Sequence, residues 1–296
     1  MGIVKYLAYK GKVSIVCLDS KELMNHVKKI HNLTTTTTVA LGRFLTISAL
    51  MAHTEIKENS DKLTLQLNGG GPAGSLVSVV KLNDKKAILK GYIQNSSIDL
   101  PIKNNQKVDV GGAIGNSGYL NFIKNNVYTN FGYKGLSPLV SGEINEDFAN
   151  YYKTSSQKNT YLDADVLVQD DKILACGGYI INLMPDANEE DLNKIEVALN
   201  RAPNIVELLN QNKSLEDISR ILTGDDEIEL IDNELSVVYE CDCSREKTIE
   251  ALIAIGKKDL QTILDEDKKA SIVCHYCNKT YDFTKEDLEQ IIKELN

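Results

Sequence analysis

The 296-residue chain reads as an α+β protein with three parts. These are an N-terminal mixed α/β core domain over residues 1–184, a helical linker over 185–239, and a small C-terminal four-cysteine domain over 240–296. Three observations predict this organisation. β-like segments outnumber helical ones in the first part and come in runs, which disfavours a doubly wound parallel sheet. A helical periodicity then takes over after Met184-Pro185-Asp186. Four of the six cysteines gather in the tail as Cys241-Asp242-Cys243 and, thirty residues later, Cys274-His275-Tyr276-Cys277.

Residues 4–18 are β-like and broken at Lys10-Gly11-Lys12, the signature of a hairpin turn. Ser20 is placed to cap a helix with Leu23, Met24, Val27 and Ile30 on its apolar face. The threonine run 34–38 makes a poor helix interior, because β-branched side chains crowd the preceding turn. It is expected to lead into an apolar helix near 39–52, with one hydroxyl as cap. Residues 62–67 alternate strictly and put Leu63, Leu65 and Leu67 on one face. Strands over 75–82 and 87–94 follow, separated by the turn signal Asn83-Asp84. Further β-like segments lie at 119–123, 127–133, 165–169 and 173–181, and 146–153 looks helical.

In the linker, Leu192, Ile195, Ala198 and Leu199 share a helical face before Pro203 interrupts it. Ile205, Leu208 and Leu209 resume the pattern. Ser214 and Asp217 resemble a capping box for a stripe of Leu215, Ile218, Ile221 and Leu222 that Gly224 ends. An acidic stretch runs from Asp225 to Leu235. Helices this short are unstable alone in water and need a surface to dock on, which makes the linker a candidate order–disorder element. In the tail, 244–255 and the segment around Leu260, Ile263 and Leu264 read as helices. Residues 271–274 and 280–283 read as two strands flanking the second cysteine pair. Thr284 and Asp287 cap a last helix bearing Leu288, Ile291, Ile292 and Leu295.

Net charge is -9, with 42% hydrophobic residues, enough for a sizeable core and the wrong sign for a broad phosphate-binding surface. From Cys241 onward, nine Lys or Arg stand against twelve Asp or Glu, so the tail does not read as a nucleic-acid-binding zinc ribbon. The start shows no apolar run of signal-peptide type, and Tyr6 stands where a myristoylation motif wants Ser or Thr. The most apolar segment, 39–52, contains Arg43 and is too short to span a bilayer. A cytoplasmic protein without membrane or nucleic-acid partners is expected. Asn68-Gly69-Gly70-Gly71-Pro72-Ala73-Gly74 lacks the P-loop and dinucleotide patterns and reads as a turn needing positive φ, as does 110–115. No catalytic Ser-His-Asp set can be placed.

Two pairs of thiolates joined by one chain reversal offer four soft ligands, for which zinc is the default metal. Each pair can instead close on itself as a disulfide, so metal retention and thiol oxidation compete for the same sulfurs. A single residue between Cys241 and Cys243 makes that ring tight and its bond readily reduced. Arg245, His275 and Lys279 are expected to favour thiolate; His275 is a poor second choice as ligand. Loss of the ion would remove the binding energy that folds so small a domain. Cys17 and Cys176 stand apart and read as buried small hydrophobes.

Several motifs together carry a family resemblance. They are 239–247 around the first pair, Ile255-Gly256-Lys257-Lys258-Asp259-Leu260, and 273–283 around the second. Upstream are His31, Leu41-Gly42-Arg43, 69–72, Lys90-Gly91-Tyr92, Ser141-Gly142-Glu143-Ile144, Tyr151-Tyr152 and Ala175-Cys176-Gly177-Gly178. In order and over nearly the whole chain, these resemble the redox-regulated chaperones called heat-shock protein 33. Departures are Ser155-Ser156-Gln157, where relatives carry an acidic middle residue, and Tyr239 in place of the more usual Phe.

The resemblance implies a reduced, inactive state with one zinc ion on Cys241, Cys243, Cys274 and Cys277. It implies that oxidation pairs Cys241 with Cys243 and Cys274 with Cys277, releases zinc and unfolds the linker. The exposed surface then holds unfolding or oxidatively damaged clients, typically as a homodimer and without ATP or catalysis. Read without the resemblance, the residues leave two other functions open: a thiol–disulfide oxidoreductase using Cys274 and Cys277, and a constitutive zinc-stabilised adaptor.

Overall fold

A computed structural model describes residues 2–59, 61–103, 107–125, 132–156 and 159–295. The chain divides into two compact units, Met1–Tyr239 and Glu240–Asn296. Segments 185–239, expected as a separate linker, are packed into the first unit.

The first unit opens with β1 (Ile3–Ala8) and β2 (Val13–Asp19), joined by a 3-10 turn at Tyr9–Gly11. Helix α1 (Lys21–His31) follows, with Ser20 at the expected N-cap position but without a capping hydrogen bond. Ser20 Oγ instead lies 2.7 Å from Thr46 Oγ1 and 3.1 Å from Cys176 Sγ in the core. Tertiary partners outbid the local cap because that hydroxyl is fully buried and must be satisfied there.

Helix α2 (Thr35–Glu55) begins four residues earlier than its apolar run suggests. Thr34 caps it by accepting from Thr37 N–H, and Thr36 and Thr37 bond Asp99 and the Ser96 carbonyl. The threonines are tolerated because they sit in the first turn, where their hydroxyls find partners outside the helix. From there to Ala52 almost every residue is buried, so α2 is the central helix of the unit.

Strands β3 (Lys62–Asn68), β4 (Leu76–Asn83) and β5 (Lys86–Ile93) form an antiparallel meander, with Leu63, Leu65 and Leu67 inward as the alternation requires. A short helix α3 (Val110–Ile114) precedes β6 (Tyr119–Asn125) and β7 (Gly132–Pro138). Of the β-like stretch expected at 127–133, residues 127–131 lie outside the described ones. Both glycine-rich segments prove structural, since Gly71 N–H donates to Ile114 O and a Cβ on Gly69 would collide with Gly115 O. Positive φ is needed only at Gly70, Gly74 and Gly115; Gly69 and Gly71 serve close backbone approach instead.

Helix α4 (Asn145–Tyr151) runs into a π-helical turn at Tyr152–Ser156, and β8 (Thr160–Gln169) and β9 (Lys172–Leu183) form a long hairpin. Helices α5 (Glu189–Arg201), α6 (Ile205–Asn210) and α7 (Leu215–Thr223) appear where the periodicity placed them, capped by Asn188, Asn204 and Ser214. The remainder of the expected helical linker is different. Residues 229–239 contain two strands, β10 (Glu229–Asp232) and β11 (Ser236–Tyr239). Four-residue strands carry too short an alternation to be read from sequence.

Two sheets result, ordered β10-β1-β2-β9-β8 and β11-β5-β4-β3-β6-β7. Helix α2 packs with residues of both sheets in the main core, with Leu235 and Val237 of the linker included. A second core lies between the other face of the first sheet (Tyr6, Val13, Ile15, Cys17, Tyr179, Ile181) and Ile195, Ile205, Leu208, Ile218 and Leu222 of α5–α7.

The second unit holds α8 (Arg245–Ala254), α9 (Lys257–Glu266), the antiparallel pair β12 (Ala270–Val273) and β13 (Thr280–Phe283), and α10 (Lys285–Glu294). Ser244 and Thr284 cap α8 and α10. Its core is small: Leu252, Leu260, Leu264, Tyr281, Phe283, Leu288, Ile291 and Ile292.

Candidate metal centre and its surroundings

Cys241 and Cys243 lie just ahead of α8, while Cys274 and Cys277 occupy the turn between β12 and β13. That turn is tied by Asn278 N–H to Cys274 O (2.8 Å) and Cys274 N–H to Lys279 O (3.0 Å), with Asn278 at φ 57°. The hairpin thus aims both sulfurs to one side. On the opposing segment, Lys247 Nζ donates to the carbonyl and carboxylate of Asp242, at 2.8 and 2.6 Å. This braces the bend that a one-residue gap requires.

The four Sγ atoms lie within 4.8 Å of one another, all half-buried. Across the two pairs, Cys241 Sγ lies 3.6 Å from Cys274 Sγ and Cys243 Sγ lies 3.4 Å from Cys277 Sγ. A tetrahedral ion with bonds near 2.3 Å sets its sulfurs roughly 3.8 Å apart. The donor set and its spacing therefore fit a soft tetrahedral metal. His275 is exposed and is not among the grouped ligands.

The electrostatics depart from expectation. Burial by itself pushes Cys243 up, yet the Tyr281 hydroxyl, 3.2 Å from its Sγ, and the neighbouring thiols hold it at about 7. Burial and adjacent sulfurs push Cys241 and Cys277 upward. Arg245, expected to favour thiolate, is engaged elsewhere: it donates to Asp287 Oδ2 and Asp282 O, and its guanidinium sits 4.4 Å from the Phe283 ring centre. Lys279 Nζ is 5.1 Å from the Tyr281 ring centre. Sequence reasoning missed Tyr281 and Lys247. The alternation in Thr280-Tyr281-Asp282-Phe283 could have found Tyr281, since it turns Tyr281 and Phe283 inward together.

Motifs scattered in the first unit also converge. Arg43 on α2 meets Glu143 Oε2 at 3.1 Å and Asp165 Oδ1 at 3.0 Å, and Lys103 meets Glu143 and Asp109. His31 Nε2 lies 3.1 Å from the Tyr239 hydroxyl, which donates to Gly91 O at 2.7 Å. Cys17 and Cys176 are buried as expected, and burial pushes both thiols up to about 12.

The family model described as Hsp33 protein matches residues 2–284. The chain belongs to the Hsp33 family. It is 39% identical over 293 residues to the 33 kDa chaperonin of Caldanaerobacter subterraneus subsp. tengcongensis, covering 99% of this chain and 98% of that one. Identity to the 33 kDa chaperonin of Clostridioides difficile is 36%, covering 99% of each. The crystal structure of the Thermotoga maritima 33 kDa chaperonin, a heat-shock protein 33 homologue, superposes with a TM-score of 0.87 at 28% identity. That match covers 99% of this chain and 98% of that one. Membership of the Hsp33 family makes the chain a chaperone. Its mixed helix-and-sheet fold matches that crystal structure, and its four C-terminal cysteines are grouped so that they could hold a metal ion. Among the described residues, no helix is long and apolar enough to cross a membrane.

Proposed function

We propose that this chain is an ATP-independent holdase switched by thiol oxidation, working in the cytoplasm. In the reduced state Cys241, Cys243, Cys274 and Cys277 hold one zinc ion, which when bound keeps the sulfurs deprotonated and supplies folding energy to the second unit. Oxidation, with peroxide as the oxidant class, removes two electrons from each close pair. The sulfurs of Cys241 and Cys243 join, as do those of Cys274 and Cys277, and each peroxide is reduced to two waters. The pairing follows the family resemblance. A sulfur in a disulfide is a poor metal ligand, so the ion is released.

One observation carries the reading: four sulfurs grouped within 4.8 Å in a unit whose core is eight side chains. A module that small relies on its metal to fold. The linker supports the rest. Its helices cover an apolar sheet face of Tyr6, Val13, Ile15, Tyr179 and Ile181, and β11 ends two residues before Cys241. Undocking would expose that face to unfolding or oxidatively damaged proteins, with a homodimer as the active form. The acidic surface excludes neither partner.

The test is light scattering of a heat-denatured client, with zinc content and free thiols followed on the same samples. Peroxide-treated, zinc-depleted protein is expected to suppress aggregation far better than the reduced form. Equal suppression by both removes the switch, and catalytic turnover of a dithiol by the metal-free chain would favour an oxidoreductase.

A further inference from the structure

Both linker strands occupy sheet edges. β10 pairs antiparallel with β1 (Lys5 opposite Asp232, Tyr6 opposite Leu230, Leu7 opposite Glu229), and β11 pairs parallel with β5 from Lys86 to Leu89. Each is the terminal strand of its sheet. Remove them, and β1 and β5 become the edges, each with a row of unpaired backbone groups.

The direction of those groups follows from bonds at the ends of the pairings. Ile3 N–H donates to Leu235 O at 2.9 Å, so by the two-residue period of a strand the N–H groups of Lys5 and Leu7 also face the linker side. Tyr9 N–H continues the row, donating to Asp225 Oδ2. On β5, the N–H and C=O of Gly91 both meet the Tyr239 hydroxyl, at 3.4 and 2.7 Å. By the same alternation Ala87 and Leu89 face β11.

The present occupants indicate what each edge selects. β10 contributes little side-chain burial, since Leu230 is 48% and Ile231 46% exposed. Backbone pairing holds it, and backbone pairing is indifferent to sequence. Asp232 adds a carboxylate that meets His53 Nε2 at 3.1 Å near Lys5. At the other edge, Val237 (3% exposed) and Leu235 (9%) are seated in the main core. The β5 edge thus offers a ladder with apolar sockets, and the β1 edge a ladder flanked by the Lys5 ammonium and the His53 imidazole.

We propose that non-native clients are captured by strand addition: an extended, unfolded segment with apolar residues at alternate positions takes the place of β11 on β5, and one bearing a carboxylate takes the place of β10 on β1. This rests on the linker undocking under Proposed function and specifies how the vacated surface binds. Main-chain hydrogen bonds supply affinity and the sockets a loose preference. Four-residue ladders are individually weak, which suits a chaperone that must release what it holds.

Amide hydrogen exchange on the full-length chain tests it, in three states: reduced with zinc, oxidised, and oxidised with thermally unfolded citrate synthase. Amides of Lys5, Leu7, Ala87 and Leu89 are expected to be slow, then fast, then slowed again by at least about tenfold with client. Val4 and Tyr6, whose N–H groups face β2, serve as controls that stay slow throughout. Aggregation suppressed while the four edge amides stay fast overturns strand addition and leaves the holdase reading standing. Re-protection without client that rises with protein concentration also overturns it, because a second copy's 229–239 segment is then the occupant. If oxidation neither frees these amides nor suppresses aggregation, the underlying holdase reading itself has failed.

Discussion

Replacing Tyr239 by Phe removes one oxygen atom from the point where β11 is pinned to β5. That hydroxyl donates to Gly91 O at 2.7 Å, accepts from Gly91 N–H at 3.4 Å, and lies 3.1 Å from His31 Nε2. It stands where the next backbone group of β11 would otherwise pair. The ring itself packs edge-on against His26 and His31, and Phe preserves that packing. Losing the hydroxyl while Gly91 stays buried costs about 1–2 kcal/mol. Such a loss shifts the docking equilibrium of β11 by roughly 5–30-fold. Amide exchange at Ala87 and Leu89 in the reduced, zinc-loaded Tyr239→Phe protein should speed up by that factor, with Leu65 in the core unchanged. Activation by peroxide should accelerate in parallel. Unchanged exchange at Ala87 and Leu89 would refute the argument that a side-chain hydroxyl holds the end of the linker.

Three further outcomes are expected. Leu288→Ala, at a fully buried position of the second unit's small core, should destabilise that unit by about 2–5 kcal/mol, seen as zinc loss at lower chelator concentration while the first unit's melting is unchanged. Cys17 lies 3.4 Å from Ser219 of α7, and burial holds its thiol up at about 12. Maleimide should label it slowly in the reduced protein and quickly after oxidation, with Cys176 in the main core slow in both. Burial holds the His53 imidazole below its ordinary value of 6.5, so the neutral form belongs to the folded state. First-unit stability is therefore full above 6.5 and falls as pH drops through the folded value. His53→Gln should flatten this limb in denaturant titrations between pH 7 and 5.

How much of this was legible beforehand depended on the range of the interactions involved. The strict alternation at 62–67 placed Leu63, Leu65 and Leu67 because a strand's faces are set by its own period. Ser214 and Thr284 were readable as caps because a cap is satisfied within three residues. Ser20 had the same local signature, yet its hydroxyl went to Thr46 and Cys176, more than twenty residues away. The four thiols could be read as a ligand set from spacing, but that Cys241 would face Cys274 and Cys243 would face Cys277 at 3.4–3.6 Å could not.

The amino-acid order alone determined the mixed class, the helical stripes of α5–α7, the soft-metal donor set and the acidic surface that repels phosphate. Each follows from periodicity, side-chain chemistry or charge, which need no knowledge of distant partners. Tertiary structure decided that 229–239 would be strands rather than helix, that Arg43 would meet Glu143 and Asp165, and that Tyr281 would serve Cys243. In every such case a free backbone edge or a buried polar group found its partner far along the chain. Short segments take the conformation their docking surface offers, because their own propensities are too weak to resist it.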